Sequence, residues 1–337
     1  MKKIPLFTVL SISLLIAVLA ALFIFSSFNK REPLVERTFF ALDTYCSLKV
    51  DSSHEGLLEK MEREIRQMEE AYSRYRGGSK VSRLNRERRL EDRELYALLE
   101  RYLKERPAVR RFFRPETGDL MDLWGFSEGG RIPGEEELKR AVRALAVSSV
   151  SLEGEETILL PAKLSLDLGG LFKGWLLDRL TDLCRKEGVS EAVLNLGGDV
   201  ALFSSKPRLW KVGVRHPREE GVLTWIEEKG DCLFIVTSGD YERFFIRDGI
   251  RYHHILNPLT GQPARGLISV TVMAESGLDA DILATAYFAG AEEREKMLET
   301  ESKRNHILWV DDHGEVGVWN LTEEKDEKGR LFYRAFR

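Results

Sequence analysis

The chain has 337 residues, 43% of them hydrophobic, and its 51 Lys+Arg against 55 Asp+Glu leave a formal net charge of −4. That is enough apolar material for one large core or two small ones, and it lacks the basic excess of a nucleic-acid binder. Cys46, Cys184 and Cys232 stand far apart without CxxC spacing, which argues against a zinc site and a disulfide framework and for ordinary buried residues.

Lys2 and Lys3 precede an apolar run from Ile4 to Phe28, and Lys30 and Arg31 follow it. A membrane helix needs about 20 such residues. The run leaves through Phe25-Ser26-Ser27-Phe28, a poor signal-peptidase site, with no cysteine nearby for lipid attachment. Residues 1–30 are expected to form one transmembrane helix, a single-pass anchor in the cytoplasmic membrane with the bulk of the chain on the extracytoplasmic side. Positive charge at both ends gives the positive-inside rule little to decide. Residues 31–37 read as a linker and 38–337 as one domain.

Thr38 to Val50 has the alternation of a strand. From Glu55 to Arg76, Leu57, Leu58, Met61, Ile65, Met68 and Tyr72 recur at three- and four-residue steps, the core-facing stripe of an amphipathic helix. Further helices are expected over Glu91–Glu105, with Leu95, Leu98, Leu99 and Tyr102 inward, and over Glu135–Leu145. Lys163 to Leu168 alternates like a strand, and Gly169-Gly170 then leads into a helix that Gly188 stops. Strand, glycine pair and helix make a recipe for an anion site, with Lys173 adding charge, but no P-loop or GxGxxG motif accompanies it. On spacing alone, a tight packing turn is the simpler account.

Ala192–Leu196 reads as a strand, followed by Trp210–Val214, Thr224–Glu227 and Leu233–Thr237. Phe244–Ile246 and Ile250–His254 flank Asp248-Gly249, a type I′ hairpin signal. After His253-His254 come a turn-rich segment with Asn257-Pro258 and Thr260-Gly261, a strand from Leu267 to Ala274, and a helix carrying Asp281 and Thr285. At i and i+4 those two share one helix stripe, where a carboxylate and a hydroxyl near a histidine have the makings of a hard-cation site. The plainer alternative is a capped surface helix with Asp281 favoured in its first turn by the dipole. His306–Asp311 and Glu315–Asn320 form a last strand pair. The mixture of helices and hairpins predicts an α+β fold, with largely antiparallel sheets and packed helices.

In this order the segments resemble the ApbE family, the FAD:protein FMN transferases. The likeness rests on Ala41-Leu42-Asp43-Thr44-Tyr45, Ser73-Arg74-Tyr75, Val81-Ser82-Arg83-Leu84-Asn85 and Thr117-Gly118 with Asp122-Leu123-Trp124-Gly125-Phe126. It continues through Asp167-Leu168-Gly169-Gly170, Lys173-Gly174, Asp178, Asn195-Leu196-Gly197-Gly198-Asp199 and Thr237-Ser238-Gly239-Asp240-Tyr241. It ends with His254-Ile255, Pro258-x-Thr260-Gly261-x-Pro263, and Asp281 with Ala284-Thr285.

The resemblance implies that residues 38–337 bind FAD and move its FMN part to a threonine or serine hydroxyl of another protein, releasing AMP. A magnesium ion on the diphosphate would take the main-chain oxygen of Gly170 and the side chains of Asp281 and Thr285. His254 aligns with the functional histidine and would accept the hydroxyl proton, whereas His253 has no counterpart and reads as a strand-face or solvent-facing residue. Positions matching Leu42, Tyr75, Phe112, Phe113, Arg114, Asp167, Lys173, Gly197, Gly198, Ser238, Gly239, Ile255 and Thr260 belong to the FAD site. Tyr75 suits stacking on a flat ring. The implied partners are flavin-carrying subunits of membrane electron-transport complexes. The same site would also serve an FAD diphosphatase, or a flavin carrier without turnover. Three residues depart from the family pattern: Asp43 replaces a glycine, and Arg114 and Asn257 replace aspartates.

Overall fold

The computed structural model describes residues 32–335, so the expected anchor over 1–30 lies outside the described residues. Among those residues, no helix is long and apolar enough to cross a membrane. The chain enters through β1 (Leu34–Ala41) and β2 (Thr44–Asp51), paired without a bulge from Leu34↔Asp51 to Ala41↔Thr44. This corrects the expected linker over 31–37 and the single strand over Thr38–Val50. Val35 and Phe39 pack on the core, so the strand starts inside the supposed linker. Leu42 (φ 56°) and Asp43 (φ 57°) then turn the chain in two residues, both in the left-handed region that a type I′ turn requires.

Helix α1 (Glu55–Tyr72) buries the six residues its spacing predicts. α2 (Lys80–Glu87) starts at Ser79, whose hydroxyl accepts the Ser82 N–H, and ends at Arg88 in left-handed conformation. β3 (Arg89–Glu91) leads to α3 (Arg93–Leu103), capped by the Asp92 carboxylate, and then α4 (Pro107–Phe112), α5 (Gly118–Trp124) and α6 (Glu135–Val147) follow. β4 (Ser151–Glu153) and β5 (Thr157–Leu159) join β3 in a three-stranded sheet of order β3-β5-β4.

The Lys163–Leu168 stretch joins no sheet: Lys163 lies in a turn, and Ser165 makes a single isolated parallel bridge to Thr117. Its backbone is served instead by Asn85, which donates to the Leu166 carbonyl and accepts the Leu166 N–H, and by Pro115, whose carbonyl accepts the Asp167 N–H. Side-chain and loop partners thus satisfy groups that a ladder would otherwise hold. α7 (Phe172–Glu187) follows and stops at Gly188, as expected.

β6 (Glu191–Leu196), β7 (Asp199–Arg215) and β8 (Val222–Gly239) come next, so the short strands expected between Trp210 and Thr237 are parts of two long ones. The hairpin of β9 (Phe244–Arg247) and β10 (Ile250–His253) turns at Asp248-Gly249 as predicted. β11 (Leu267–Ala274), α8 (Gly277–Ala289) and α9 (Arg294–Glu299) precede β12 (His306–Asp311), β13 (Val316–Trp319), β14 (Leu321–Lys325) and β15 (Leu331–Ala335).

The large sheet runs β1-β2-β6-β7-β8-β11-β12-β13, with β14-β15 attached through β15 on β8. Every pairing in it is antiparallel except β15 on β8. Alternation divides the packing: on β8, Phe234 and Val236 join the main core with α7 and α8, while Leu233 and Ile235 join a second cluster. The architecture is the expected α+β, with antiparallel sheets and packed helices.

Candidate functional site

Helices α7 and α8 cross at two glycines. A Cβ on Gly174 would stand 2.1 Å from the Gly277 carbonyl oxygen, and one on Gly277 would stand 2.4 Å from that of Gly174. This contact lets the helices approach backbone to backbone. The Asp178 carboxylate secures it by accepting from Gly277 N (2.6 Å), Leu278 N (3.0 Å) and Ser276 Oγ (3.0 Å) at the start of α8. Ser276, not Asp281, caps that helix. The surface-helix alternative is thereby corrected: α8 is buried almost all round, and Asp281 lies in its second turn at 4% exposure.

One face of the α7–α8 pair forms a wall of a cleft. The β1–β2 turn, the C-terminal end of β8 and the loop after β10 complete its lining. Of the three residues expected to hold a metal, all line it. Gly170 lies against Thr285, so close that a Cβ there would meet Thr285 Oγ1 at 3.2 Å and Phe113 Cε2 at 2.8 Å. Thr285 Oγ1 is also 3.3 Å from Ser238 Oγ. Asp281 Oδ2 accepts the Gly174 N–H at 3.0 Å. Burial, and then the neighbouring Asp199 carboxylate, push the Asp281 carboxyl up to about 7, with Lys173 opposing them.

Lys173 itself is ion-paired to Asp199, and the Asp281 charge acts on it from farther off. A buried carboxylate beside a hydroxyl and a glycine backbone is an incomplete set of hard oxygens. It fits an ion that keeps other positions for phosphate oxygens or water, as magnesium does. Among the described residues, no group of three or more His, Cys, Asp or Glu side chains offers a self-sufficient metal cage.

The two histidines divide. His253 is buried, donates from Nε2 to the Ala264 carbonyl (2.8 Å) and packs edge-on against Phe288, a core residue with no solvent-facing role. His254 lines the cleft, half-buried, with Nδ1 3.2 Å from the Arg243 carbonyl oxygen. That contact assigns the proton to Nδ1 and leaves the Nε2 lone pair available. Burial and then the Arg243 charge hold the imidazole below its ordinary value, hence neutral.

Leu42, Phe112, Phe113, Arg114, Asp167, Gly197, Ser238, Gly239 and Ile255 also reach the cleft. Asp167 is fixed by Arg74 (3.1 Å). The Arg114 guanidinium, however, is committed elsewhere. It binds Glu116 (3.0 Å) and the carbonyls of Leu145 (3.0 Å) and Ser148 (2.8 Å), so its charge answers a buried glutamate rather than a ligand.

Three expected ligand residues stand apart. Tyr75 is 56% exposed beside Arg74, outside the lining. Gly198 completes the β6–β7 turn and donates its N–H to Asn195. Thr260 is an exposed turn residue whose hydroxyl accepts the Gln262 N–H. That turn is positioned by Trp124 Nε1, which donates to the Gly261 carbonyl (2.8 Å), and by Asn257 Oδ1, which accepts the Leu259 N–H (2.9 Å). Asp199, Glu242 and Arg243 line the cleft without having been singled out as site residues. Arg243 pairs with Asp43 at 3.2 Å across its mouth.

Oxygen donors, a lysine paired to a carboxylate and a neutral imidazole on one cleft are the equipment of phosphoryl chemistry in an α+β fold. The chain belongs to the ApbE family, whose model matches residues 42–308. An FAD:protein FMN transferase of Treponema pallidum (strain Nichols) is 34% identical over 282 residues, 75% of this chain and 77% of that protein. One of Vibrio cholerae serotype O1 is 30% identical over 264 residues, 74% of this chain and 78% of that protein. The crystal structure of the ApbE protein of Thermotoga maritima superposes with a TM-score of 0.77 at 32% identity, covering 85% of this chain and 96% of that one.

Proposed function

We propose that the chain is a magnesium-dependent FAD:protein FMN transferase, moving FMN from FAD to a threonine or serine hydroxyl of an acceptor protein with release of AMP. The supporting observation is that Gly170, Asp281, Thr285 and His254 face one cleft although they come from three distant segments. In the reaction the acceptor oxygen bonds to the FMN phosphorus, the phosphoanhydride bond breaks, and the bridging oxygen leaves with AMP. The hydroxyl proton passes to Nε2 of His254, which is neutral and so able to take it.

Phosphoryl transfer asks for charge neutralisation and placement more than covalent help. The Gly170 carbonyl, the Asp281 carboxylate and the Thr285 hydroxyl would hold the ion, which when bound neutralises the diphosphate. Asp199 keeps Lys173 on the same wall. Residues 1–30 anchor the domain outside the cytoplasm, beside acceptor subunits of membrane electron-transport complexes.

Mass spectrometry of an acceptor peptide incubated with FAD and Mg²⁺ tests the reading, with AMP followed in parallel. FMN mass on a threonine or serine, with matching AMP, is expected. AMP released equally fast without transfer would make the protein an FAD diphosphatase, and intact bound FAD would make it a carrier.

A further inference from the structure

The large sheet has three free edges among the described residues, and they differ. β13 has four residues, and β14 has five, of which Glu323, Glu324 and Lys325 are charged. β1 has eight, with neither proline nor bulge; its two charges, Glu36 and Arg37, are ion-paired to Lys49 and Glu62, and the stretch from Thr38 to Ala41 that leads into the turn carries none. Proteins ordinarily shorten, kink or charge such an edge, because its unpaired N–H and C=O groups recruit other chains. β1 is also the only one of the three that runs into the cleft, since Leu42, Asp43 and Thr44 at its turn line the cavity.

The two-residue turn makes Ala41 and Thr44 a hydrogen-bonded pair, so Phe40 and Thr38 alternate with it and point their backbone groups outward. On the open face beside them, Phe40 (57% exposed) and Tyr45 (73% exposed) form an edge-on aromatic pair with centroids 5.5 Å apart. Aromatics of this kind supply anchor points at interfaces.

We infer that the free edge of β1, with Phe40 and Tyr45, is the docking strip for the acceptor protein, which binds as an extended segment added to the sheet and led by β1 to the cleft. Main-chain hydrogen bonds supply affinity and the aromatic pair a side-chain contact. The inference rests on the proposed transferase reading.

Two variants of the full chain test it. Thr38→Pro removes an outward N–H while leaving the pairing with β2 intact, and the double variant Phe40→Ser/Tyr45→Ser removes the aromatic pair. In each, KM for the acceptor is expected to rise by about tenfold or more, as loss of an interface anchor does. FAD affinity and AMP release without acceptor stay at wild-type values, and the melting temperature falls by no more than about 4 °C, the cost of one cross-strand pair. Amide exchange at Thr38 and Phe40 should be fast in the free protein and slow when acceptor is added. Unchanged KM in both variants overturns the inference while the wild type still transfers flavin. So does protection of those amides before acceptor is present, which would assign the edge to the chain's own N-terminus or a second copy. A wild type that transfers nothing refutes the transferase reading instead.

Discussion

Gly174→Ala tests whether the helix crossing sets the site. The new methyl would stand 2.1 Å from a main-chain oxygen and 2.7 Å from Asp281 Cβ, and neither is the end of a flexible side chain. Relief to an ordinary contact needs the helices to part by roughly 1 Å, in a core as close-packed as a crystal. Such overpacking costs typically about 1–3 kcal/mol. At roughly 2–4 °C per kcal/mol for a large domain, the melting temperature should fall by about 2–12 °C.

The same parting carries Asp281 away from Gly170, and a misplacement of roughly 1 Å is enough to slow a positioned reaction by about a hundredfold. Calorimetric melting and single-turnover AMP release at saturating FAD and Mg²⁺ measure both effects. A variant with wild-type melting and wild-type turnover would refute the claim that this glycine contact sets the position of the carboxylate.

His254→Ala should lower the transfer rate by roughly 10²–10⁴-fold, the usual contribution of a general base, while FAD binding measured by fluorescence is retained. Arg114→Met should lower the melting temperature, because it strands the buried Glu116, and leave FAD affinity unchanged in titration calorimetry. His54 has its pKa raised, first by its hydrogen bond to Asp51. Its contribution is therefore complete below its unfolded value, about 6.5, and fades as pH rises through the raised folded value. His54→Gln should cost more stability at pH 5 than at pH 9 in urea titrations, and equal cost would contradict the linkage.

Periodicity carried the long elements: the Leu57–Tyr72 stripe and the Asp248-Gly249 hairpin stand where spacing and turn chemistry place them. The Leu42-Asp43 hairpin escaped because neither residue announces a left-handed turn, and the glycine usual in the family at position 43 is missing here. Lys163–Leu168 alternates like a strand, but Asn85, a residue about 80 positions earlier in the chain, takes its hydrogen bonds. Asp281 reads as a surface residue from local rules, yet α8 has almost no polar face, and that apolar content was the signal of burial.

Within the site, the motif residues on α7, α8 and β8 converge. Thr260 and Gly198 shape turns instead, and Tyr75 stays outside the lining. Arg243 escaped detection because its role depends on Asp43, 200 residues away. Arg114 reads as a reversed charge at the ligand until Glu116, two residues on, is seen to absorb it.

The lip of the cleft has an awkward order of assembly. β1 and β2 leave the ribosome early and pair at once with each other, but β2 joins the sheet only through β6, over 140 residues later. Contacts so far apart in sequence form slowly, because the intervening loop must close first. The hairpin that rims the site can thus pair early and receive α1 on its face, but the inner edge of β2 gains a strand neighbour only once β6 has been made.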